Sequence, residues 1–237
     1  MLRRMSDTPQ PRPLTIERGY PTHAPGSVLI TCGQTRVLCT ASVSTDLPPF
    51  LIDPATGVPG SGWVTAEYAM LPGATPDRKR RGPDSRATEI KRLIGRSLRA
   101  AVDAAKMPGV CITCDCDVLK ADGGTRTASI TGAFVALADA LRWAQHQELI
   151  DADPIRSPVA AISVGLVEDR VVLDLDYAHD SRAQVDLNVV MNAAGEFVEV
   201  QGTGETTTFT RAQLQAMLDA AAVGIARLID AQNKALG

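Results

Sequence analysis

The segment VCITCDCDVLKADGGTRTASITGAFVALADALRW, Val110 to Trp143, decides how the rest of the chain is read. From Val110 to Leu119 apolar and polar side chains alternate, as they do in a half-buried strand. Gly123 and Gly124 then break the run. From Thr125 to about Trp143 the residues are helix formers with almost no charge, and Ala128, Gly132, Ala133 and Ala136 are small, so this helix is expected to be buried and closely packed. A strand, a glycine turn and a helix start leave free N–H groups and the positive end of the helix dipole at the turn. Arg126 adds a planar donor fork suited to phosphate oxygens. Two readings stand here, an ordinary tight turn and an oxyanion seat. A nucleotide P-loop is excluded, because the spacing G-x-x-x-x-G-K-[ST] is missing and no lysine follows the second glycine.

Working outward, SVLITCGQTRVLCTASV (Ser27 to Val43) holds two apolar, β-branched runs around Gly33-Gln34 and reads as a hairpin. Trp63 to Leu71 is a further strand, entered through VPGSG. From Ser85 the period becomes helical: Ile90, Leu93, Ile94, Ser97, Leu98 and Ala101 form one face, and Arg92, Arg96 and Arg99 another, with Asp84 or Ser85 as cap. Beyond the central segment, Ala160 to Tyr177 reads as a hairpin turning near Glu168 to Arg170, and Val185 to Gly202 as another around Ala194-Gly195. Thr210 and Gln213 form a capping box for a last helix, whose stripe runs through Leu214, Met217, Leu218, Ala221, Ile225, Leu228 and Ile229. Hairpins interspersed with three long helices argue for an α+β fold with a mixed sheet, not a doubly wound parallel sheet.

The chain has 237 residues and no low-complexity stretch, which suggests a flexible tail over residues 1–11 and a single domain over 12–237. Hydrophobic residues make up 45% and aromatic ones only 4%, so the core is aliphatic and alanine-rich and large stacking platforms for bases are not expected. MLRRMSDTPQPR lacks the apolar h-region of a secretory signal, and no later apolar run reaches a membrane span; a cytoplasmic protein is expected. Cys32, Cys39, Cys111, Cys114 and Cys116 lie in strand-like segments as small reduced hydrophobes. Strand alternation puts Cys111 on the face opposite Cys114 and Cys116, which argues against a zinc site.

The net charge of −3 hides an asymmetry: nine of the 24 Lys and Arg residues lie between Arg78 and Arg99, against Asp84 and Glu89 alone. A solvated helix face and a surface for phosphates both fit. With three histidines and no G-x-S-x-G, the chain has few parts for a side-chain nucleophile. Arg86 falls seven residues before Leu93, near the inward side of its helix, where it is expected to meet a buried carboxylate or a bound anion. Asp180 and Asp186 flank SRAQV and share one side if that segment is extended. They suit Mg²⁺ beside a phosphate; a loop cap and a strand-edge salt bridge are the alternative.

In order along the chain, GSVLITCGQTRVLCTASV, GWVTAEYAMLP, EIKRLIGRSLRAAVD, CDVLKADGGTRTASITGAFVALADAL, YAHDSRAQVDLNVVM and EVQGT resemble the RNase PH family of bacterial phosphorolytic 3′ exoribonucleases, from about Arg12 to the C-terminus. The resemblance implies a ribosomal-protein-S5-like α+β domain, assembled as a hexameric ring, that trims the 3′ end of precursor tRNA with inorganic phosphate as co-substrate. It places phosphate at Arg86, Gly124, Thr125 and Arg126. Asp180 and Asp186 become the catalytic pair and the Mg²⁺ ligands, and Arg78, Lys79, Arg80, Arg81, Arg92 and Arg96 the RNA contacts. Phosphate is already anionic at neutral pH, which explains the missing triad. Two departures stand out: Gly73 follows LP where the family usually has arginine, and His179, read as an exposed loop residue, stands where it often has glutamate. An inactive RNA-binding ring subunit is the alternative within the same fold.

Overall fold

The computed structural model describes residues 10–237. Most of the tail expected at residues 1–11 lies outside them. Nine strands, β1 (Leu14–Arg18), β2 (Gly26–Cys32), β3 (Thr35–Ser44), β4 (Trp63–Met70), β5 (Cys111–Lys120), β6 (Val159–Val167), β7 (Arg170–Leu173), β8 (Val185–Asn192) and β9 (Phe197–Gly204), form two sheets. The first is ordered β1-β2-β3-β5-β4, with only β4 and β5 parallel, and the second β7-β6-β8-β9, antiparallel throughout. Four helices accompany them: α1 (Ser85–Ala100), α2 (Thr125–His146), the single turn α3 (Tyr177–Asp180) and α4 (Arg211–Leu236).

Each helix packs as its side chains dictate. The uncharged stretch of α2 lies between the sheets against β2, β3, β5 and β6, with Ile130, Phe134, Leu137 and Leu141 fully buried. Gly132 allows this approach, because a Cβ there would meet Ile30 and Cys39 at 2.7 and 2.8 Å. Ile90, Ile94 and Leu98 bury one face of α1 on the first sheet. By length and composition α4 alone among the described helices could cross a bilayer, yet Met217, Ala221, Ile225, Leu228 and Ile229 are buried against β6, β7 and β8. Its capping box at Thr210 and Gln213 forms as expected. All five cysteines are free and buried, and Cys114 and Cys116 face the core under α2.

Two details depart from the sequence reading. The β6–β7 hairpin ends at Leu173, because Asp174 turns left-handed with φ +57° and begins the path into α3. Asp174 is held there by Arg12, which donates through its backbone N (2.8 Å), Nε (3.0 Å) and Nη2 (2.7 Å) and also bonds the Asp122 carbonyl. The segment from Asp180 to Asp186 is not extended, since Asp180 closes α3 and only Asp186 lies on a strand.

Candidate active site

The turn after β5 needs both its glycines. Gly123 (φ +72°) and Gly124 (φ +61°) are left-handed, a conformation that costs other residues roughly 1–2 kcal/mol. A Cβ on Gly123 would strike the Leu175 carbonyl oxygen at 2.4 Å. Thr35 braces the turn, donating to the Gly123 carbonyl (2.7 Å) while its hydroxyl accepts from the Asp122 N–H (2.9 Å). No side chain caps the first turn of α2, so its leading N–H groups stay open to an acceptor. The same turn thus serves as a tight turn and leaves a helix start open to an acceptor.

A cleft of about 540 Å³ opens beside this helix start, lined by Arg86, Glu89, Arg126, Asp180, Asp186, Asn188 and Gln201 among others. Antiparallel register builds its floor. Asp186 pairs with Thr203, Asn188 with Gln201 and Val190 with Glu199, so these residues share one face of the β8–β9 hairpin. The alternate residues Val185, Leu187, Val189 and Met191 pack on α4. The polar face is thus left to α1 and the start of α2, where Glu199 forks onto Arg96 and Gln201 meets Arg126.

Arg86 reaches the cleft but not as expected. It is exposed, with no ion pair among the described residues, and its backbone N–H is capped by Asp84 Oδ1 at 2.9 Å. A first-turn position tips the side chain off the end of α1 instead of under it, so of the two partners considered, a buried carboxylate and a bound anion, the carboxylate is absent among the described residues. Arg126 is more enclosed, with 15% of its side chain exposed. Thr125 Oγ1 shares a 2.8 Å hydrogen bond with the hydroxyl of Tyr68, a buried residue on β4.

The two aspartates arrive by different routes and converge on the cleft. Asp176 caps α3, accepting from the His179 N–H, and so presents Asp180 at the end of the turn. Burial pushes the Asp186 carboxyl above the usual carboxylate range and the charge of Asp180 adds to this, while Arg126 and Asn188 Nδ2 (3.3 Å) pull the other way. Asp180 is open to the cleft, yet its surroundings also raise it, against the charges of Arg86 and Arg126. Neither alternative reading holds: Asp176 is the cap, and Asp186 sits on an interior strand with no salt bridge among the described residues. Among the described residues no three His, Cys, Asp or Glu gather as a metal cage. Two carboxylates are nonetheless the donor set that suits Mg²⁺, which keeps several waters.

His179 is half-buried, its Nδ1 2.7 Å from Asp176 Oδ1, not a free loop residue. Of the basic cluster, Arg80 and Arg81 line a separate groove of about 390 Å³ between β4 and α1, and Tyr68 lines that groove too. Arg78 and Arg92 are exposed; Lys79 lies 3.7 Å from Asp84, and Arg96 is occupied by Glu199 at 2.8 Å. Sequence reasoning missed Glu89, Gln201 and Glu205 in the cleft lining. Glu89 and Gln201 lie inside the matching blocks, but nothing in their local pattern reports that packing brings them together.

Comparison with known proteins matches two family models, 3′ exoribonuclease family domain 1 over residues 10–142 and domain 2 over residues 157–224. The chain is 57% identical over 233 residues to the ribonuclease PH of Corynebacterium efficiens, covering 96% of this chain and 93% of that one. It is 52% identical over 233 residues to the ribonuclease PH of a Synechococcus species, covering 96% and 93%. Among solved structures, the chain superposes on the RNA-bound exosome of Archaeoglobus fulgidus with TM-score 0.77 and 20% identity, over 95% of this chain and 89% of that one. Rice Rrp46 gives 0.76 and 18% over 97% of each. At that identity the likeness concerns the fold.

Proposed function

The chain belongs to the 3′ exoribonuclease family, and we propose that the cleft between α1, the start of α2 and the β8–β9 hairpin is where it acts. It is a phosphorolytic 3′-to-5′ exoribonuclease. Inorganic phosphate is the nucleophile: one of its oxygens bonds to the terminal RNA phosphorus, the P–O3′ bond breaks, and a nucleoside diphosphate leaves. The difficulty is to bring two anions together, so the useful groups are fixed cationic donors and not an activated side chain. Arg86, Arg126 and the open helix start at Gly124 and Thr125 supply these at one end of the cleft. Asp180 and Asp186 face the other substrate. The departing 3′ oxygen needs a proton, and carboxyls held above their usual range can deliver one. The same pair would hold Mg²⁺, which when bound offsets charge on the scissile phosphate.

For the RNA we assign the 3′ trailer of precursor tRNA, carried to the cleft by Arg78, Lys79, Arg80, Arg81 and Arg92. We further infer a hexameric ring in the cytoplasm and one folding unit over residues 12–237, since α2 is shared between both sheets. The observation that carries the reading is a single cleft joining two arginines and an uncapped helix start to two carboxylates. An end-labelled RNA incubated with phosphate should yield nucleoside diphosphates, and Asp180→Asn should abolish them while RNA binding persists. Monophosphates formed without phosphate would contradict the reading.

A further inference from the structure

Arg126 enters the cleft with one side of its guanidinium already engaged. Its Nη1 donates to Gln201 Oε1 at 2.7 Å and to Glu89 Oε1 at 3.3 Å. Gln201 Nε2 donates to the same Glu89 oxygen at 3.0 Å. Three elements, α2, β9 and α1, thus close a ring of hydrogen bonds. The ring admits one orientation of the amide, oxygen toward the cation and nitrogen toward the carboxylate. Nη1 carries two hydrogens and both are used. Its Nε and Nη2 have no protein acceptor among the described residues, although most of the side chain is enclosed.

We propose that Gln201 and Glu89 are positioning residues that tie down Nη1 so that the Nε and Nη2 edge of Arg126 is presented to the incoming phosphate. The inference rests on the reading of the cleft as the phosphate site. An arginine anchored on one side loses less freedom on binding, and its free edge has the paired geometry that suits two phosphate oxygens. The two anchors differ in charge. Gln201 holds the guanidinium without adding any, whereas Glu89 holds it with a carboxylate, 45% exposed, that also repels the arriving anion. Their removal should therefore shift phosphate affinity in opposite directions. Neutralising Glu89 as Glu89→Gln keeps an oxygen to accept from both partners; it removes the repulsion and weakens only the longer of the two bonds to Nη1, leaving the 2.7 Å bond to Gln201 as the anchor.

The test is phosphate KM and kcat on the full chain with a saturating oligoribonucleotide, together with calorimetric binding of inorganic phosphate without RNA. Gln201→Ala should raise phosphate KM about tenfold, the change ~1.4 kcal/mol makes, with kcat within about twofold and RNA KM unmoved. Glu89→Gln should lower phosphate KM. Gln201→Glu sets two carboxylates side by side and should also raise it. The exchange variant Glu89→Gln/Gln201→Glu restores an amide–carboxylate pair beside Arg126 and should recover most of the native value, a rescue that loss of fold could not produce. If Gln201→Ala leaves phosphate KM unchanged while Arg126→Ala raises it, or the exchange gives no recovery, the clamp is overturned and the phosphate site stands. If Arg126→Ala itself leaves phosphate binding intact, the reading of the site fails first.

Discussion

Replacing Gly123 with alanine should separate backbone strain from steric conflict at the turn proposed to seat phosphate. The left-handed φ of +72° costs alanine roughly 1–2 kcal/mol. The new Cβ would lie 2.4 Å from the Leu175 carbonyl oxygen and 2.6 Å from the Asp176 carbonyl carbon, both backbone atoms that cannot swing aside. Forcing them apart adds about 1–3 kcal/mol, for a total near 3 kcal/mol and a fall in Tm on the order of 6–12 °C. Two other glycines isolate the parts. Gly195 is left-handed at φ +80° with nothing within 4 Å, so its alanine variant should lose only about 1 kcal/mol. Gly73 has open space and no left-handed φ, so its variant should be neutral or slightly stabilising. Urea unfolding of the three variants gives the comparison, and phosphorolysis should fall only for Gly123→Ala, because Leu175 and Asp176 lead into the turn that carries Asp180. If Gly123→Ala cost no more than Gly195→Ala, the tight contact between the turn and that segment would be wrong.

Arg12→Met strips the partner from Asp174, whose side chain is 4% exposed, and should cost about 3–5 kcal/mol in urea unfolding, unlike Arg18→Met at the more open pair with Asp139. Asp186→Asn should cut phosphorolysis roughly 10²-fold or more while making the metal-free protein more stable at neutral pH. Because the folded state holds the Asp180 and Asp186 protons more tightly than the unfolded chain, native stability should rise as pH falls from the raised carboxyl values toward ordinary ones, and be lost as pH rises through the raised values. Unfolding midpoints across that acidic window check the sign: Asp186→Asn should flatten the curve, and an unchanged curve contradicts it. Changing Arg78, Lys79, Arg80 and Arg81 together to alanine should weaken RNA binding and reduce the slope of log affinity against log salt by up to about 3. An unchanged slope would remove the loop from the RNA path.

Sequence periodicity located the long elements well, since α1, α2 and α4 each carry an uninterrupted apolar face and the hairpins are marked by Gly33, Ala194-Gly195 and Glu168 to Arg170. It failed where the backbone does something unusual. Asp174 adopts a left-handed turn because Arg12, 162 residues away in sequence, grips it, and no local pattern reports such a partner. Spacing placed Asp180 and Asp186 on one side only if the segment between them were extended, whereas Asp180 ends a one-turn helix capped by Asp176 and both still line the cleft. The helix starts that carry Arg86 and Arg126 were readable from their caps and glycines, although Arg86 is exposed and not turned inward as its spacing suggested. The residues around them were not. Gln201 faces the cleft only through its register with Asn188, and Glu89 only through the crossing of α1 over β9, both long-range results of packing.

The location of the phosphate is the central claim, and a crystal soaked in arsenate tests it most directly. Arsenate is a tetrahedral oxyanion that stands in for phosphate, and its anomalous scattering marks its position without reference to activity. A peak within hydrogen-bonding distance of the Arg86 and Arg126 guanidinium groups and the first N–H groups of α2 is the predicted result. A peak at the groove beside Arg80 and Arg81 with none in the Arg126 cleft would contradict the account.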